Sequence, residues 1–362
     1  MMKRLLRVLA TVVGLLVLSL PSQAQLRHEI HFPDVPGYKT LKCDFHMHTV
    51  FSDGTVWPTV RVDEAWQQGL DAITLTDHIE YQPHKDDLPT NHNRPFDLAA
   101  GRARQKNLLF PRAAEITRDT PPGHFNTLFL KDANPLDTAD FLEAVKQANE
   151  QDAFVFWNHQ AWKGPELGKW MDVHTQMYDN KWLHGMEVCN GQTYYPDAHR
   201  WCLEKGLTMM GTSDIHGPDQ RKSNDPEDHR TMTLVFAKER TLDSLKEALV
   251  EGRTVVWYME QLIGRREFIE PLFVQCIRVA KPHLRSSNAV WVAIENVCDL
   301  DVHLERTGSV GPAELELPAR TTYLLNIRTK RPADPIEMAY TATNLLIAPE
   351  QGLPVTLRIP GE

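Results

Sequence analysis

Short apolar runs alternate with amphipathic segments from about Lys39 to Tyr258, and this alternation restricts the fold more than any other feature. The runs have the length of buried strands, and the segments between them have the length and end signals of helices. Sustained strand–helix alternation predicts an α/β barrel or a doubly wound sheet. The predicted strands are Leu41–Phe45, Ala72–Leu75, Leu108–Phe110 leading into Ala113–Ala114, Phe154–Trp157, Met186–Val188, Leu207–Gly211 and Thr233–Phe236.

The ends of four helices can be identified from the sequence, because a capping side chain, a proline or a glycine marks them. They are Val62–Gln68 before Gly69, Thr138–Asn149 after Asp137, Ala198–Lys205 between Pro196 and Gly206, and Leu242–Glu251 between Thr241 and Gly252.

The pattern changes after about Ile263. A helix-like stretch, Arg266–Val279, precedes short β-branched segments that Pro, Gly and Asn separate, which predicts a small β-sandwich-like domain. The segments are Val290–Glu295, Asp301–Glu305, Thr322–Ile327, Glu337–Ala342 and Val355–Ile359. The predicted organisation is a signal peptide at 1–24, an α/β domain at 25–264 and a C-terminal β-rich domain at 265–362.

The N-terminus has the three parts of a secretory signal peptide. Lys3, Arg4 and Arg7 precede the apolar run Val8–Leu20, and a small-residue cleavage site ends at Ala24. An uncleaved membrane anchor is the alternative, although the run is shorter than the ~20 residues that a span needs. We therefore expect a periplasmic or secreted protein with no membrane span after cleavage.

Charge and cysteine content narrow the functional classes. The chain has 362 residues, a formal net charge of -9 and no Lys/Arg-rich run in its body, so we expect no general nucleic-acid binding. Phosphate substrates stay possible because bound metal ions supply positive charge locally. Five scattered cysteines form no disulfide framework, and Cys276 and Cys298 are either a pair or two buried free thiols.

The first predicted strand carries a candidate metal-binding face. Side chains alternate along a strand, so Asp44, His46 and His48 share one face and the intervening residues share the other. Two imidazoles one strand period apart can bind one metal ion. His-x-His alone is a weak signal, because it is common by chance.

Other strands end in the same residue types. His78 follows Ala72–Leu75, Glu115 follows Ala113–Ala114, His159 follows Phe154–Trp157, and Asp214 and His216 follow Leu207–Gly211. The carboxyl ends of parallel strands converge on one face of a barrel, where such enzymes place their active sites. The shared position predicts one metal site.

The ordered series resembles the PHP (polymerase and histidinol phosphatase) superfamily over about residues 39–258. The matching elements are His46-Met47-His48-Thr49, Ser52-Asp53-Gly54, Thr76-Asp77-His78, Glu115, His124, His159 and Asp214-Ile215-His216. The resemblance implies a distorted (β/α)7 barrel with a site for two or three metal ions. The signal peptide, the segments Gly123–Asn126 and Trp157–His159, and the β-rich tail resemble an exported branch that includes phosphodiesterases acting on organophosphate diesters.

The resemblance also implies how the ligands divide. One ion would be held by His46, His48, Glu115 and Asp214; a second by bridging Glu115 with His124 and His159; a third by Asp53, His78 and His216. Imidazole and carboxylate ligands without thiolate suit Zn, Mn or Fe. We expect Asp44 and Asp77 to orient imidazoles by accepting their free N–H groups.

The predicted reaction is in-line hydrolysis of a phosphate diester by a hydroxide held between two ions. Arg118 is the candidate phosphate clamp, with a plain surface arginine as the alternative, and His184 and Arg230 are weaker catalytic candidates. A monoester dianion would call for more cationic side chains than Arg118 alone, which favours a diester. Four tryptophans either line a substrate cleft or simply pack: Trp157, Trp162, Trp170 and Trp182.

Three other functions stay open. One is a phosphomonoesterase of the histidinol-phosphatase type. The second is a non-catalytic, metal-stabilised scaffold in which the β-rich tail is the binding module. The third is hydrolysis of an amide or lactone by the same bridging hydroxide. For the phosphoesterase functions, the expected substrate is a small-molecule phosphate ester.

Overall fold

The structure is a computed structural model that describes residues 26–219 and 229–362. The predicted signal peptide, 1–24, lies outside the described residues. In the part of the chain that is described, no helix combines the length and the apolar character needed to cross a membrane.

In the described part of the first region, eleven strands and six α-helices follow one another in chain order. The strands are β1 (Lys39–Asp44), β2 (Ala72–Ile73), β3 (Ala113–Thr117), β4 (His124–Leu128), β5 (Phe154–Trp157), β6 (Gly185–Asn190), β7 (Thr193–Tyr194), β8 (Thr208–Thr212), β9 (Met232–Ala237), β10 (Thr254–Tyr258) and β11 (Gln261–Gly264). The helices are α1 (Pro58–Gln67), α2 (Arg94–Gln105), α3 (Phe141–Glu150), α4 (Asp172–Asp179), α5 (Pro196–Lys205) and α6 (Leu242–Val250).

These elements form a distorted α/β barrel, as predicted. Strand β1 pairs in parallel with β2, and β6 pairs in parallel with both β5 and β8. The distortion comes from antiparallel strands: β4 lies between β3 and β5, and β9 lies between β1 and β10. Side chains close the gap between β8 and β10, where Thr254 Oγ1 donates to the Met209 carbonyl at 2.8 Å. An isolated parallel bridge between His78 and Glu115 joins the β2 and β3 sides.

Most helix ends agree with the capping signals. Gly206, in the left-handed region at φ 71°, follows α5, and Thr241 Oγ1 accepts a hydrogen bond from Ser244 N at the start of α6. The predicted start of α3 was wrong. Asp140, rather than Asp137, caps this helix by accepting from Glu143 N at 2.8 Å. The run Leu108–Phe110 also forms no strand beyond the single bridge of Leu109 to Ala72.

The C-terminal region is a β-sandwich preceded by helix α7 (Arg266–Cys276). One layer contains β12 (Ile277–Val279), β13 (Leu284–Arg285), β14 (Ala289–Asn296) and β17 (Thr322–Arg328). The other contains β15 (Val302–Arg306), β16 (Glu314–Leu317), β18 (Ile336–Ala348) and β19 (Gln351–Ile359). The predicted helix ended too late, because Ile277–Val279 pairs with β14 instead.

The sandwich is continuous with the barrel. Strand β11 pairs in parallel with β18, so one nine-stranded sheet runs from β2 into the second layer of the sandwich. One apolar core likewise includes Trp257 of β10, Leu272 of α7 and Val292 of β14. The predicted boundary near residue 264 stays a prediction, and the sheet and core run across it.

Candidate metal centre

The structure brings all nine predicted metal ligands to one end of the barrel. They form four overlapping groups in which the potential ligand atoms lie within 4.8 Å of one another. The groups are His46, His48 and Asp214; His46, Glu115 and His159; His78, Glu115 and His124; and His48, Asp53, His78 and His216.

The centre of the cluster is formed by the two histidines that follow β1. The Nε2 atoms of His46 and His48 face each other at 3.0 Å, and Asp214 Oδ1 lies 3.1 Å from each. Glu115 Oε2 lies 3.5 Å from the first nitrogen and 3.4 Å from the second. Asp214 Oδ1 and Glu115 Oε2 are buried without a hydrogen-bond partner. Buried carboxylate oxygens and imidazole nitrogens that converge without partners fit a divalent cation.

Glu115 links the central group to the second group. Its Oε1 lies 3.0 Å from His124 Nδ1 and 3.8 Å from His159 Nε2, and Asn158 Nδ2 donates to the same oxygen at 2.9 Å. Because its two oxygens face different groups, this carboxylate is placed for the predicted bridging role. The assignment of individual ions stays a prediction.

The third group lies at the more open side. Asp53 Oδ1 is 3.3 Å from His78 Nε2 and 3.1 Å from His216 Nε2, and it has no hydrogen-bond partner. Gly54 permits this placement, since a Cβ atom there would lie 2.6 Å from the carbonyl carbon of His48. The Ser-Asp-Gly sequence therefore needs its glycine for a close backbone approach.

Two ligand residues have a strained backbone. His159 has φ 26° and Asp214 has φ 50°, in the left-handed region that non-glycine residues rarely adopt. Such conformations cost about 1–3 kcal/mol each and persist where the surroundings fix them. Both lie directly after or near the end of a barrel strand, where the turn aims the side chain into the cluster.

Burial and mutual charge shift the pKa values of the cluster. Burial, reinforced by the neighbouring charge of His78, lowers the pKa of His48 to about 3. Burial opposes ionisation of His78, but Glu115 and Asp53 outweigh it and raise the pKa of His78 to about 10. Burial likewise acts against the Glu115 carboxylate, yet His78 and His46 hold its pKa well below the usual range. Glu115 therefore stays charged, as a metal ligand must.

Glu187 supports the cluster and was missed by the sequence analysis. Its Oε1 lies 2.7 Å from His46 Nδ1 and accepts from Thr212 Oγ1 at 2.5 Å, and its Oε2 accepts from His159 N at 2.7 Å. A carboxylate that fixes the second ring nitrogen orients the imidazole and sets its tautomer. The available signal was a glutamate inside the apolar run Met186–Val188.

We predicted that Asp44 and Asp77 would accept hydrogen bonds from imidazoles, but in the structure neither contacts an imidazole ring. Asp44 accepts from His46 N at 3.3 Å and from Ser213 Oγ at 2.5 Å, so it fixes backbone rather than rings. Asp77 accepts from Ser52 Oγ at 2.9 Å, and that oxygen lies 3.2 Å from His48 Nδ1. Asp77 thus acts through a hydroxyl, because the loop after β1 places Ser52 between the two side chains.

Arg61 of α1 holds the loops that carry the ligands. It is fully buried and donates to the carbonyls of His48 at 2.9 Å, Gly217 at 2.7 Å and Ile215 at 3.1 Å. Glu64 balances its charge at 2.8 Å. One guanidinium therefore joins the first and the last ligand loops.

The three predicted catalytic side chains have other partners. Arg230 is buried in ion pairs with Asp44 at 2.9 Å and Asp219 at 2.8 Å, so it positions the loops and does not reach the cavity. His184 lies before β6, at the other end of the barrel strands, where its Nδ1 accepts from Val155 N at 3.0 Å. Arg118 pairs with Glu80 and donates to the Thr138 carbonyl at 2.6 Å. The structure brings none of the three into the cluster.

The cluster opens into a cavity of about 370 Å³. Besides ligand residues, its wall contains Trp162, Asn190, Thr193 and Tyr195. Of the four tryptophans, only Trp162 lines this cavity; it is 50% exposed and packs against His124 and His159. Trp157, Trp170 and Trp182 pack with a hydrophobic core, which corrects the cleft interpretation for those three.

Comparisons with known proteins agree with this architecture. A family model described as DUF5001, an Ig-like domain, matches residues 277–358. A search of curated proteins finds no match. Among solved structures, a two-domain protein from Bacteroides vulgatus that contains a predicted PHP-like metal-dependent phosphoesterase has a TM-score of 0.88. Its sequence is 46% identical, over 93% of this chain and 100% of that chain.

Two further structures are more distant. A candidate metal-dependent phosphoesterase from Bifidobacterium adolescentis has a TM-score of 0.42 and 16% identity, over 58% of this chain and 96% of that chain. Endonuclease Q, in complex with an abasic 27-mer duplex, has a TM-score of 0.43 and 14% identity, over 69% of this chain and 63% of that chain. These values are too low to bear on function. The 46% identity along nearly the whole chain is decisive, and the chain belongs to the PHP-like metal-dependent phosphoesterases.

Proposed function

We propose that this protein hydrolyses phosphate diesters with the help of two or three divalent metal ions. The observation that carries the proposal is the wall of the metal cavity. Among the residues that the structure describes, no lysine or arginine lines it. A diester carries one negative charge, whereas a monoester carries close to two at neutral pH. A cavity whose wall offers no lysine or arginine is better matched to the smaller charge.

The nine clustered residues would hold the ions, with Glu115 between two of them. Zn, Mn and Fe all suit this set of imidazole and carboxylate ligands. Bound divalent ions supply an activated water and neutralise charge that develops on the phosphoryl oxygens. Glu187 contributes by fixing the ring of His46 through Nδ1.

Tyr195 would donate a hydrogen bond to an oxygen of the substrate, and Trp162 would pack against its organic part. Burial and the charge of Glu187 raise the pKa of Tyr195, which keeps its hydroxyl protonated and able to donate. Trp162 offers a half-exposed aromatic face beside the ligand histidines. An apolar ester group would pack favourably against this face and displace water from it.

The test compares two substrates that share a chromogenic group. Metal-loaded protein is assayed with bis(4-nitrophenyl) phosphate and with 4-nitrophenyl phosphate. We expect a higher kcat/KM for the diester. A higher value for the monoester would overturn the proposal in favour of a histidinol-phosphatase type of reaction. Absence of turnover with both, at fewer than two ions per chain by elemental analysis, would favour a non-catalytic scaffold.

We also propose that the protein is exported, on the basis of its N-terminal sequence alone. Cleavage after Ala24 would give a mature chain that begins at Gln25. Fractionation of the native host's cells, followed by N-terminal sequencing of the protein, tests this. Protein that stays in the cytoplasm with an intact Met1 would contradict the proposal.

A further inference from the structure

A second cavity lies beside the metal cavity and has a volume of about 740 Å³. One side of its wall includes Ile79, the residue after the predicted metal ligand His78. The other side of the wall includes Arg118. The residue before it, Thr117, has its Oγ1 2.6 Å from His78 Nδ1. The ring of Tyr81, also in the wall, has its centroid 6.0 Å from that of His78. The two cavities are therefore neighbours across the His78 side chain.

The inner wall of this cavity, here called the side cavity, is built around a partly buried ion pair. Arg118 Nη1 lies 2.5 Å from Glu80 Oε1, and Glu80 Oε2 accepts from Thr117 N at 2.7 Å. Arg118 Nη2 donates to the Thr138 carbonyl, while its Nε is buried without a partner. Donors and acceptors thus lie side by side in fixed positions.

Most of the remaining wall is polar and mixed in charge, and Pro83 and Ala139 are its apolar members. It includes Gln82, Lys85, Asp86, Thr90 and Asp137. With Glu80 and Arg118, the side cavity has three carboxylates and two cations. This balance disfavours a second phosphate anion, and the exposed charges of Lys85 and Asp86 make the wall a poor surface for an alkyl chain.

We propose that the side cavity binds a neutral, hydroxyl-rich group, such as a sugar, that forms one ester of the diester substrate. The inference rests on the proposed phosphodiesterase activity. A hydroxyl group both donates and accepts, so it is satisfied where carboxylates lie next to guanidinium and amide groups. Tyr81 is 53% exposed and offers a flat face for the C–H surface of a sugar ring. The side cavity then sets specificity while the metal cavity holds the phosphate.

The kinetic test uses two diesters with the same leaving group, methyl 4-nitrophenyl phosphate and glucose 6-(4-nitrophenyl phosphate). Metal-loaded full-length protein should have a kcat/KM about tenfold higher for the glucose ester, through a lower KM, since tenfold corresponds to one or two good hydrogen bonds. Tyr81→Ala should reduce this preference to about threefold or less. Tyr323→Ala, a control at a 40% exposed tyrosine of β17, should keep it.

A binding measurement separates the two proposals. Saturation-transfer NMR with methyl α-glucopyranoside should detect binding to the metal-loaded protein and its loss in Tyr81→Ala. Hydrolysis of both diesters without a preference for the glucose ester would overturn the sugar site and leave the phosphodiesterase proposal standing. Glucoside binding that depends on Tyr81, with neither diester hydrolysed, would overturn the phosphodiesterase proposal and leave a sugar-binding site. If neither binding nor hydrolysis is seen, both proposals fail.

Discussion

The barrel and the sandwich share a sheet and a core but bury different chemistry. Residues 265–362, all of them described, bury only two polar side chains, Asn296 and Asn344. Each donates to two backbone carbonyls and so has a structural role. The barrel instead buries carboxylates and imidazoles together at one end. Because burying charge is costly without a compensating partner, its concentration in one place identifies the working part of the molecule.

The sandwich contributes support rather than ligands. Its strand β18 extends the barrel sheet through β11, and its buried side chains continue the barrel core. A region joined in this way is expected to unfold with the barrel. Four predictions test this division between chemistry in the barrel and support from the sandwich, and they are ordered from the largest expected effect to the smallest.

Replacing Glu115 with glutamine should have the largest effect. The change keeps the size of the side chain but removes the charge that faces His46, His78 and His124. Loss of a shared ligand should remove metal, which supplies several kcal/mol of transition-state stabilisation, so we expect kcat/KM to fall about a thousandfold, with loss of bound metal. Glu295→Gln, at a 49% exposed carboxylate of the sandwich, is the control and should change neither. Normal metal content and turnover in Glu115→Gln would contradict the shared-ligand scheme.

Replacing Leu353 with alanine should destabilise the whole chain. Leu353 of β19 is fully buried opposite Ala342, and such truncations cost about 2–5 kcal/mol. Tryptophan fluorescence, which reports mainly on the barrel, should show the same lowered denaturant midpoint as circular dichroism of the strands. Leu324→Ala, 57% exposed on β17, should change stability by less than about 0.5 kcal/mol. A barrel midpoint that stays unchanged would show that the two regions unfold independently.

Acid should weaken the barrel through His174. Burial lowers the pKa of His174 to about 4, compared with 6.5 for a free histidine. The unfolded chain therefore takes up a proton before the folded one. The contribution to stability is complete above pH 6.5 and is lost as pH falls to about 4, by about 3 kcal/mol. Urea unfolding of His174→Gln between these pH values should show a shallower decline, and an equally steep decline would refute the assignment.

Replacing Glu187 with glutamine should have the smallest effect on the site. Metal affinity should fall about 10- to 100-fold, because the variant no longer fixes the ring of His46 by charge. Competition with a chromogenic chelator measures this. Glu305→Gln, at an exposed position of β15, is the matched control. Unchanged affinity would mean that packing alone orients the imidazole.

The sequence by itself predicted the nine candidate ligands that the structure brings together, and most of the strands that position them. Seven of the nine candidate ligands were predicted because each follows or ends an apolar run, and parallel strands bring such ends together. Asp53 and His124 were predicted from the resemblance to the PHP superfamily. The helix ends at Gly206 and Thr241 were equally local, because a glycine or a capping hydroxyl acts on its own turn. The cap at Asp140 was misplaced because Asp137 offered the same signal three residues earlier.

Only the tertiary structure decided what supports the ligands and what faces the substrate. Glu187 reaches His46 across 141 residues of sequence, and Arg230 reaches Asp44 across 186, so no local pattern reveals either contact. Arg118 was assigned to phosphate from its position after Glu115, yet Glu80 and Thr138 bind it from other segments. Strand-end position depends on local periodicity, whereas hydrogen-bond partners depend on how distant segments pack.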